Sequence, residues 1–217
     1  MKKFTRLAFA VLFLSPVLSQ AQNGLEPFIG YGIDVNNKQP LSQFNVGLQI
    51  PIIKKPIYQM LIGVRGSVPV NSHTGTDAAY TYDQALPLSI TTRYKTKFYS
   101  AAITLTNRFK VVSWARKNTV SAFVNVGFGR LSIQARHDNY DMDKYTVLNP
   151  HSSLAVENLL AGAGIQYKRK LNTGYFFVQG EVVAPPFDKH PDNYNFKTPV
   201  PLSINLGYGI VFKKRDR

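Results

Sequence analysis

The stretch PLSINLGYGIVF, residues 201–212, puts Leu202, Ile204, Leu206, Tyr208, Ile210 and Phe212 on one side of an extended chain. Ser203, Asn205, Gly207, Gly209 and Val211 fall on the other. Side chains alternate across a strand with a period of two, so the segment predicts a β-strand with one greasy face and one small or polar face. QFNVGLQI at 43–50 repeats the design, with Phe44, Val46, Leu48 and Ile50 opposed to Gln43, Asn45, Gly47 and Gln49. Six further segments follow it less regularly, at about 27–35, 57–69, 94–106, 119–134, 154–168 and 174–184. Eight strands result. Helical periodicity is almost absent, although the alanines and leucines of LAVENLLAGAGI (154–165) also suit a helix.

The chain begins with a basic stretch (Lys2, Lys3, Arg6), an apolar run LAFAVLFL at 7–14, and the small-x-small site Ser19-Gln20-Ala21. This is the layout of a secretory signal over 1–21, and the apolar run is too short to span a bilayer. The mature chain is then expected to run from Gln22 to Arg217 as one domain of ordinary size. Absence of cysteine excludes a disulfide framework, a thiolate metal site and a lipidated cysteine. No later segment is long and apolar enough for a transmembrane helix. An exported chain of this kind is either a soluble β-protein or a β-barrel in an outer membrane.

The other face separates these. It carries Gln43, Asn45, Gln49, Gln59, Arg65, Asn125, Gln166, Gln179, Glu181 and Asn205 among glycines. Uncharged amides and glycine suit a narrow polar lumen, with Asp34, Arg65 and Glu181 pairing inside it; a wet outer surface would be richer in Lys and Glu. The connections agree with this reading. Short or middle-sized turns at 51–56, 107–118 and 169–173 alternate with a brief link at 36–40 and longer loops at 70–93, 136–153 and 185–198, as in membrane barrels with short inner turns and long outer loops. The fold class expected is therefore all-β, an eight-stranded antiparallel transmembrane barrel with periplasmic termini over 22–217. Eight strands leave an interior that side chains fill, which argues against a general porin.

As a pattern over the mature chain, the sequence resembles the small outer-membrane barrels of OmpA- and OmpX-like architecture and, more loosely, PorT-like barrels. Its most specific element is the last strand, where Asn205, Gly207, Ile210 and Phe212 match the spacing of the signal read by the barrel-assembly machinery. The tail KKRDR after Phe212 departs from members that stop at the aromatic residue. The resemblance implies a Gram-negative outer membrane, contact with its lipids and lipopolysaccharide, and, through the PorT-like likeness, an accessory role in protein secretion with a periplasmic or secretion-system partner.

Charge follows the same topology. Without Lys2, Lys3 and Arg6 the chain keeps 23 basic residues against 12 acidic ones, a net +11. On a cytoplasmic protein this would suggest nucleic acid; behind an export signal it does not. Lys54, Lys55, Arg108, Lys110, Arg116, Lys117, Lys168, Arg169, Lys170, Lys213, Lys214, Arg215 and Arg217 all fall in the expected inner turns and tail. Such a basic periplasmic rim suits phospholipid phosphates or an acidic periplasmic partner.

Three patterns carry possible chemistry. His151, Ser153 and Glu157 bear a faint likeness to the His-x-Ser arrangement of lipid A deacylases, in which histidine activates serine and a carboxylate holds the imidazole. Asp138, Asp141 and Asp143 in HDNYDMD supply oxygen ligands but lack the glycine and terminal glutamate of an EF-hand loop. GYGI, at 30–33 and again at 207–210, lacks the third glycine and following helix of a dinucleotide site, so no cofactor is indicated. The repeat instead predicts first and last strands that pair, tyrosines outward at similar height and glycines inward. A non-enzymatic envelope barrel with a structural or interaction role is the reading these residues favour; an outer-membrane lipid hydrolase and a soluble periplasmic ligand-binding barrel stay as alternatives.

Overall fold

A computed structural model describes residues 24–35, 41–137, 140–147, 151–184 and 200–211, with only the backbone described at 151 and 152. The signal segment, Phe212, the basic tail, Asp138 and the loop at 185–199 lie outside the described residues.

The described chain forms nine strands: β1 (Glu26–Asp34), β2 (Ser42–Lys54), β3 (Tyr58–Pro69), β4 (His73–Tyr80), β5 (Ser89–Trp114), β6 (Asn118–His137), β7 (His151–Lys170), β8 (Gly174–Ala184) and β9 (Pro201–Ile210). Neighbours pair antiparallel in the order β3-β2-β1-β9-β8-β7-β6-β5, and β3 pairs with β5 to close the ring. Eight strands thus make a closed barrel with no open edge. LAVENLLAGAGI lies within β7, so its alanines line a strand face and not a helix.

The ninth strand is a departure from the sequence reading. The expected loop at 70–93 contains β4 and the start of β5, because β4 carries the line of β3 onward: β3 pairs with β5 over Ser100–Phe109 and β4 pairs with it over Ser89–Thr96. HTGTDAAY has no greasy face, as befits a strand lying beyond the apolar belt, and alternation therefore misses it. The turn expected at 107–118 shrinks to 115–117, since β5 and β6 stay paired out to Trp114 and Asn118. Ala115 and Arg116 take left-handed φ values of 50° and 54°. Such turns are usually marked by Asn or Gly, so this one carries no local signature. β5 has 26 residues and β1 only nine, so one wall stands far above the other.

β1 and β9 are neighbours, as the repeated GYGI predicts, with glycines toward the interior and tyrosines outward. The predicted height is wrong, however: Tyr31 faces Ile204, and Gly207 faces Phe28. Tyr208 therefore sits four residues nearer the end that carries the termini. Strands in a closed barrel are staggered by its shear, so counting from strand ends misplaces the seam.

Inward glycines accommodate rings. Phe28 lies directly across from Gly47, Phe123 from Gly164, Tyr175 from Gly209 and Phe177 from Gly207. A β-carbon at any of these glycines would overlap the opposing ring. Each aromatic side chain thus lies flat across the neighbouring strand, filling a narrow lumen without spreading the wall.

Candidate functional site: the lumen and its two rims

The outer surface is apolar around the barrel. Ile29 on β1, Val46 on β2, Ile103 on β5, Val126 and Phe128 on β6, Ile165 on β7 and Ile204 on β9 are all exposed, Ile29 by 69%. Near the terminal end this belt finishes in aromatic residues with polar tips. Tyr58 packs on Phe109 and donates to Asn107 Oδ1 (2.7 Å), Trp114 stacks on Tyr167, which donates to Asn118 Oδ1 (2.8 Å), and Tyr208 OH bonds Thr173 Oγ1 (2.7 Å). Rings of this kind mark the interface of a membrane barrel.

Inside, polarity is inverted and ordered in layers. Nearest the terminal end, Glu26 is fully buried and collects four donors. Arg108 reaches it with both terminal nitrogens, Nη1 to Oε1 at 3.0 Å and Nη2 to Oε2 at 2.9 Å; Lys168 Nζ lies 3.4 Å from Oε1, and Tyr175 OH donates to the same oxygen. Arg108 also donates to Gln59 and Gln49, and the Lys168 ammonium sits 3.9 Å above the Tyr175 ring. At mid-barrel Glu181 does the same. It accepts from Arg65 Nη1 (2.9 Å), Asn205 Nδ2 (2.8 Å), Asn125 Nδ2 (3.2 Å) and Gln179 Nε2 (3.2 Å). A buried carboxylate is tolerated when its lone pairs are filled and a cation adjoins it, and both conditions are met twice.

Above Glu181 a cavity of about 80 Å³ is lined by Asn45, Arg65 and Ser67 on one side and Phe98, Leu131 and Leu160 on another. Leu41, Phe98 and Ile133 pack over it, backed by Leu131 and Leu154. From the terminal end outward, the lumen therefore holds a charged layer, a second charged layer, a small cavity and an apolar lid.

Arg65 and Glu181 pair as the sequence suggests. Asp34 is buried in the lumen too, but its carboxylate accepts from the Val200 backbone N–H at 2.8 Å. Arg108 and Lys168 correct the expected basic rim. Arg108 has its side chain buried in the lumen and Lys168 reaches Glu26 beside it, because both share the inward parity of their strands. Lys54, Lys55, Lys110, Arg116, Lys117, Arg169 and Lys170 are exposed at the terminal end. Glu26 was not foreseen. It shares the parity of Phe28, Gly30 and Asp34, and a first strand begun at residue 27 leaves it out.

Of the assembly-signal residues, Asn205 is buried on Glu181, Gly207 faces Phe177, and Ile210 faces outward. Ser153 and Glu157 are exposed on the outward face of β7, four residues apart, and Glu157 lies opposite Arg130. Six residues of strand, about 20 Å, separate the backbones of Glu157 and His151. Asp141 and Asp143 are exposed; Asp141 binds Lys144 at 3.2 Å, and that contact, with the Asp143 backbone N–H, holds its carboxyl below the usual range. No group of three metal-ligating side chains occurs among the described residues.

No family model and no curated protein matches the sequence. Solved structures do match. The chain aligns with Neisserial surface protein A at 8% identity and a TM-score of 0.50, over 88% of this chain and 97% of that one. The fold is that of an eight-stranded outer-membrane barrel. Two further alignments are with a major outer membrane protein from Thermus thermophilus (12% identity, TM-score 0.48, 86% and 98% covered) and with Ail, the attachment invasion locus protein of Yersinia pestis, in complex with the heparin analogue sucrose octasulfate (13%, 0.45, 87% and 98%). The apolar belt, aromatic girdle and buried polar interior of this barrel place its wall in lipid on physical grounds alone.

Proposed function

We propose that this protein is a sealed, non-enzymatic barrel that serves the outer membrane as a structural and interaction element. The observation that carries this reading is the pair of carboxylate hubs stacked across the lumen beneath an apolar lid. Filled layers of this kind oppose passage of solutes. They leave the two rims as the working surfaces.

In this reading residues 1–21 are removed on export, the termini face the periplasm, and Asn205, Gly207, Ile210 and Phe212 are read by the barrel-assembly machinery. The exposed lysines and arginines of the terminal end then meet phospholipid phosphates of the inner leaflet. An accessory role in secretion would act through that same rim. On the far side, Arg93, Lys95, Lys97, Arg130 and Arg136 are exposed on the tall β5–β6 wall, and Lys95 lies directly opposite Arg136. Lipopolysaccharide phosphates are the anions these exposed cations would meet.

Planar-bilayer recording tests the sealed lumen. The refolded barrel is expected to give no steady channels, whereas the triple variant Glu26→Ala/Arg65→Ala/Glu181→Ala opens a narrow conducting path. Steady conductance by the unaltered protein would overturn the reading.

A further inference from the structure

The mouth of the barrel at the terminal end contains a cavity of about 210 Å³. Four cationic side chains line it, Lys55, Arg108, Lys110 and Lys168, together with the hydroxyls of Thr119 and Ser121. Glu26 is bonded to two of these cations, Arg108 and Lys168. No carboxylate pairs with Lys55 or Lys110 among the described residues. Against one carboxylate the four cations leave three positive charges in excess. The buried Nε–H of Arg108 also lacks a hydrogen-bond partner, although both terminal nitrogens are fully used.

Two irregularities adjoin this mouth. The β5–β6 ladder shifts between Lys110 and Val112, and the β2–β3 ladder shifts between Pro51 and Ile53. Bulges bend the strand and re-aim side chains. Backbone bonds then fix the lysines: Lys110 N–H donates to Ile57 C=O at 2.9 Å, and Lys55 N–H to Tyr58 C=O at 2.8 Å. A cation surplus in a semi-enclosed polar cavity attracts an anion more strongly than the same charges spread over a rim, because low-dielectric walls weaken screening. A singly charged carboxylate would leave most of that surplus in place. Inorganic phosphate offers more charge and more acceptor oxygens for the lysines and the two hydroxyls, and a phosphodiester, singly charged like a carboxylate, still adds its two ester oxygens as acceptors.

We infer that this mouth is a phosphate-binding site, taking either free phosphate or the phosphate of a phospholipid head group. The orientation proposed above supplies only its compartment, the periplasm. The site itself is independent of whether the lumen conducts.

The test uses the full mature chain refolded in a maltoside detergent, which carries no phosphate. Inorganic phosphate and short-chain phosphatidylglycerol are titrated separately by calorimetry at constant ionic strength, with acetate as the competing anion class. Saturable one-site binding of inorganic phosphate is expected. Lys55→Gln/Lys110→Gln should weaken it by about tenfold or more, since each lysine contributes a charge-assisted contact. Lys144→Gln, on the loop at the opposite end of the barrel and paired with Asp141, should leave it unchanged. Heat-modifiable migration confirms that each variant has folded. Binding of phosphatidylglycerol alone assigns the site to the lipid head group and supports the inference equally. The inference is overturned if neither phosphate probe saturates, if acetate binds as tightly, or if Lys144→Gln weakens binding as much as the double variant.

Discussion

Replacing Glu26 by Gln changes one oxygen to NH2 and leaves four donors without the anion on which they converge. Arg108 is 2% exposed and Glu26 fully buried. In the variant, an amide with two donors of its own confronts a guanidinium, an ammonium and a phenol. Removing one partner of a buried ion pair costs about 3–5 kcal/mol, because the surviving charge has neither water nor counter-ion. Lys168 keeps some access to solvent, which favours the lower end, about 3 kcal/mol. At 1.4 kcal/mol per factor of ten, the folding equilibrium should fall by roughly a hundredfold. Urea unfolding of the refolded barrel, followed by Trp114 fluorescence and by heat-modifiable migration, measures this. The companion variant Glu26→Gln/Arg108→Gln should recover at least half of the loss, since the stranded guanidinium is gone. A single variant within about 1 kcal/mol of the unaltered protein, or a double variant no better than the single, would refute the account of the terminal-end layer.

Gly207→Val is expected to cost about 1–3 kcal/mol by forcing its side chain into the Phe177 ring, and a double-mutant cycle with Phe177→Leu should show clear coupling. Trp114, the sole tryptophan, stacks on Tyr167 at the terminal-end girdle, so lipids brominated near the head group should quench it more than lipids brominated near the chain terminus. Burial pushes the His73 imidazole, on β4 beyond the apolar belt, below its ordinary 6.5, while the Asp34 carboxylate opposes the shift. Folded His73 binds its proton less readily than unfolded His73, so stability should fall as pH drops from about 6.5 through the folded value. His73→Gln should flatten that dependence, and an NMR titration of the ring should give a midpoint under 6.5; a midpoint above it would contradict the placement.

The barrel was legible in the sequence because the wall of a membrane barrel is read two residues at a time. Val124 and Val126 face lipid and Asn125 faces Glu181, and that contrast survives in the bare order of letters. Where a strand leaves the lipid the contrast fades, and β4, with threonine, glycine and aspartate on both sides, is silent for that reason. The lumen chemistry was half legible. Arg65 and Glu181 stood out as charges in strand interiors, but Arg108 and Lys168 sat near strand ends, where parity and rim membership give opposite answers. Only the closed ring, which brings β1, β5, β7 and β8 together around Glu26, decides between them. The cations of the mouth were legible as members of a basic rim suited to phosphates, but their gathering into one cavity was not, because it depends on the closed ring that turns Arg108 and Lys168 inward beside Lys55 and Lys110.

The rings lying across the glycines have a consequence for how the chain closes. Tyr175 and Phe177 occupy successive inward positions on β8 and meet Gly209 and Gly207, the two glycines of the second GYGI. Slide β9 by one residue and both rings meet outward-pointing neighbours; slide it by two in one direction and Phe177 is driven against Asn205. The last strand therefore works as a keyed track. It accepts its neighbour where teeth and gaps coincide, so the segment that ends the chain also carries a mechanical check on the register of the seam.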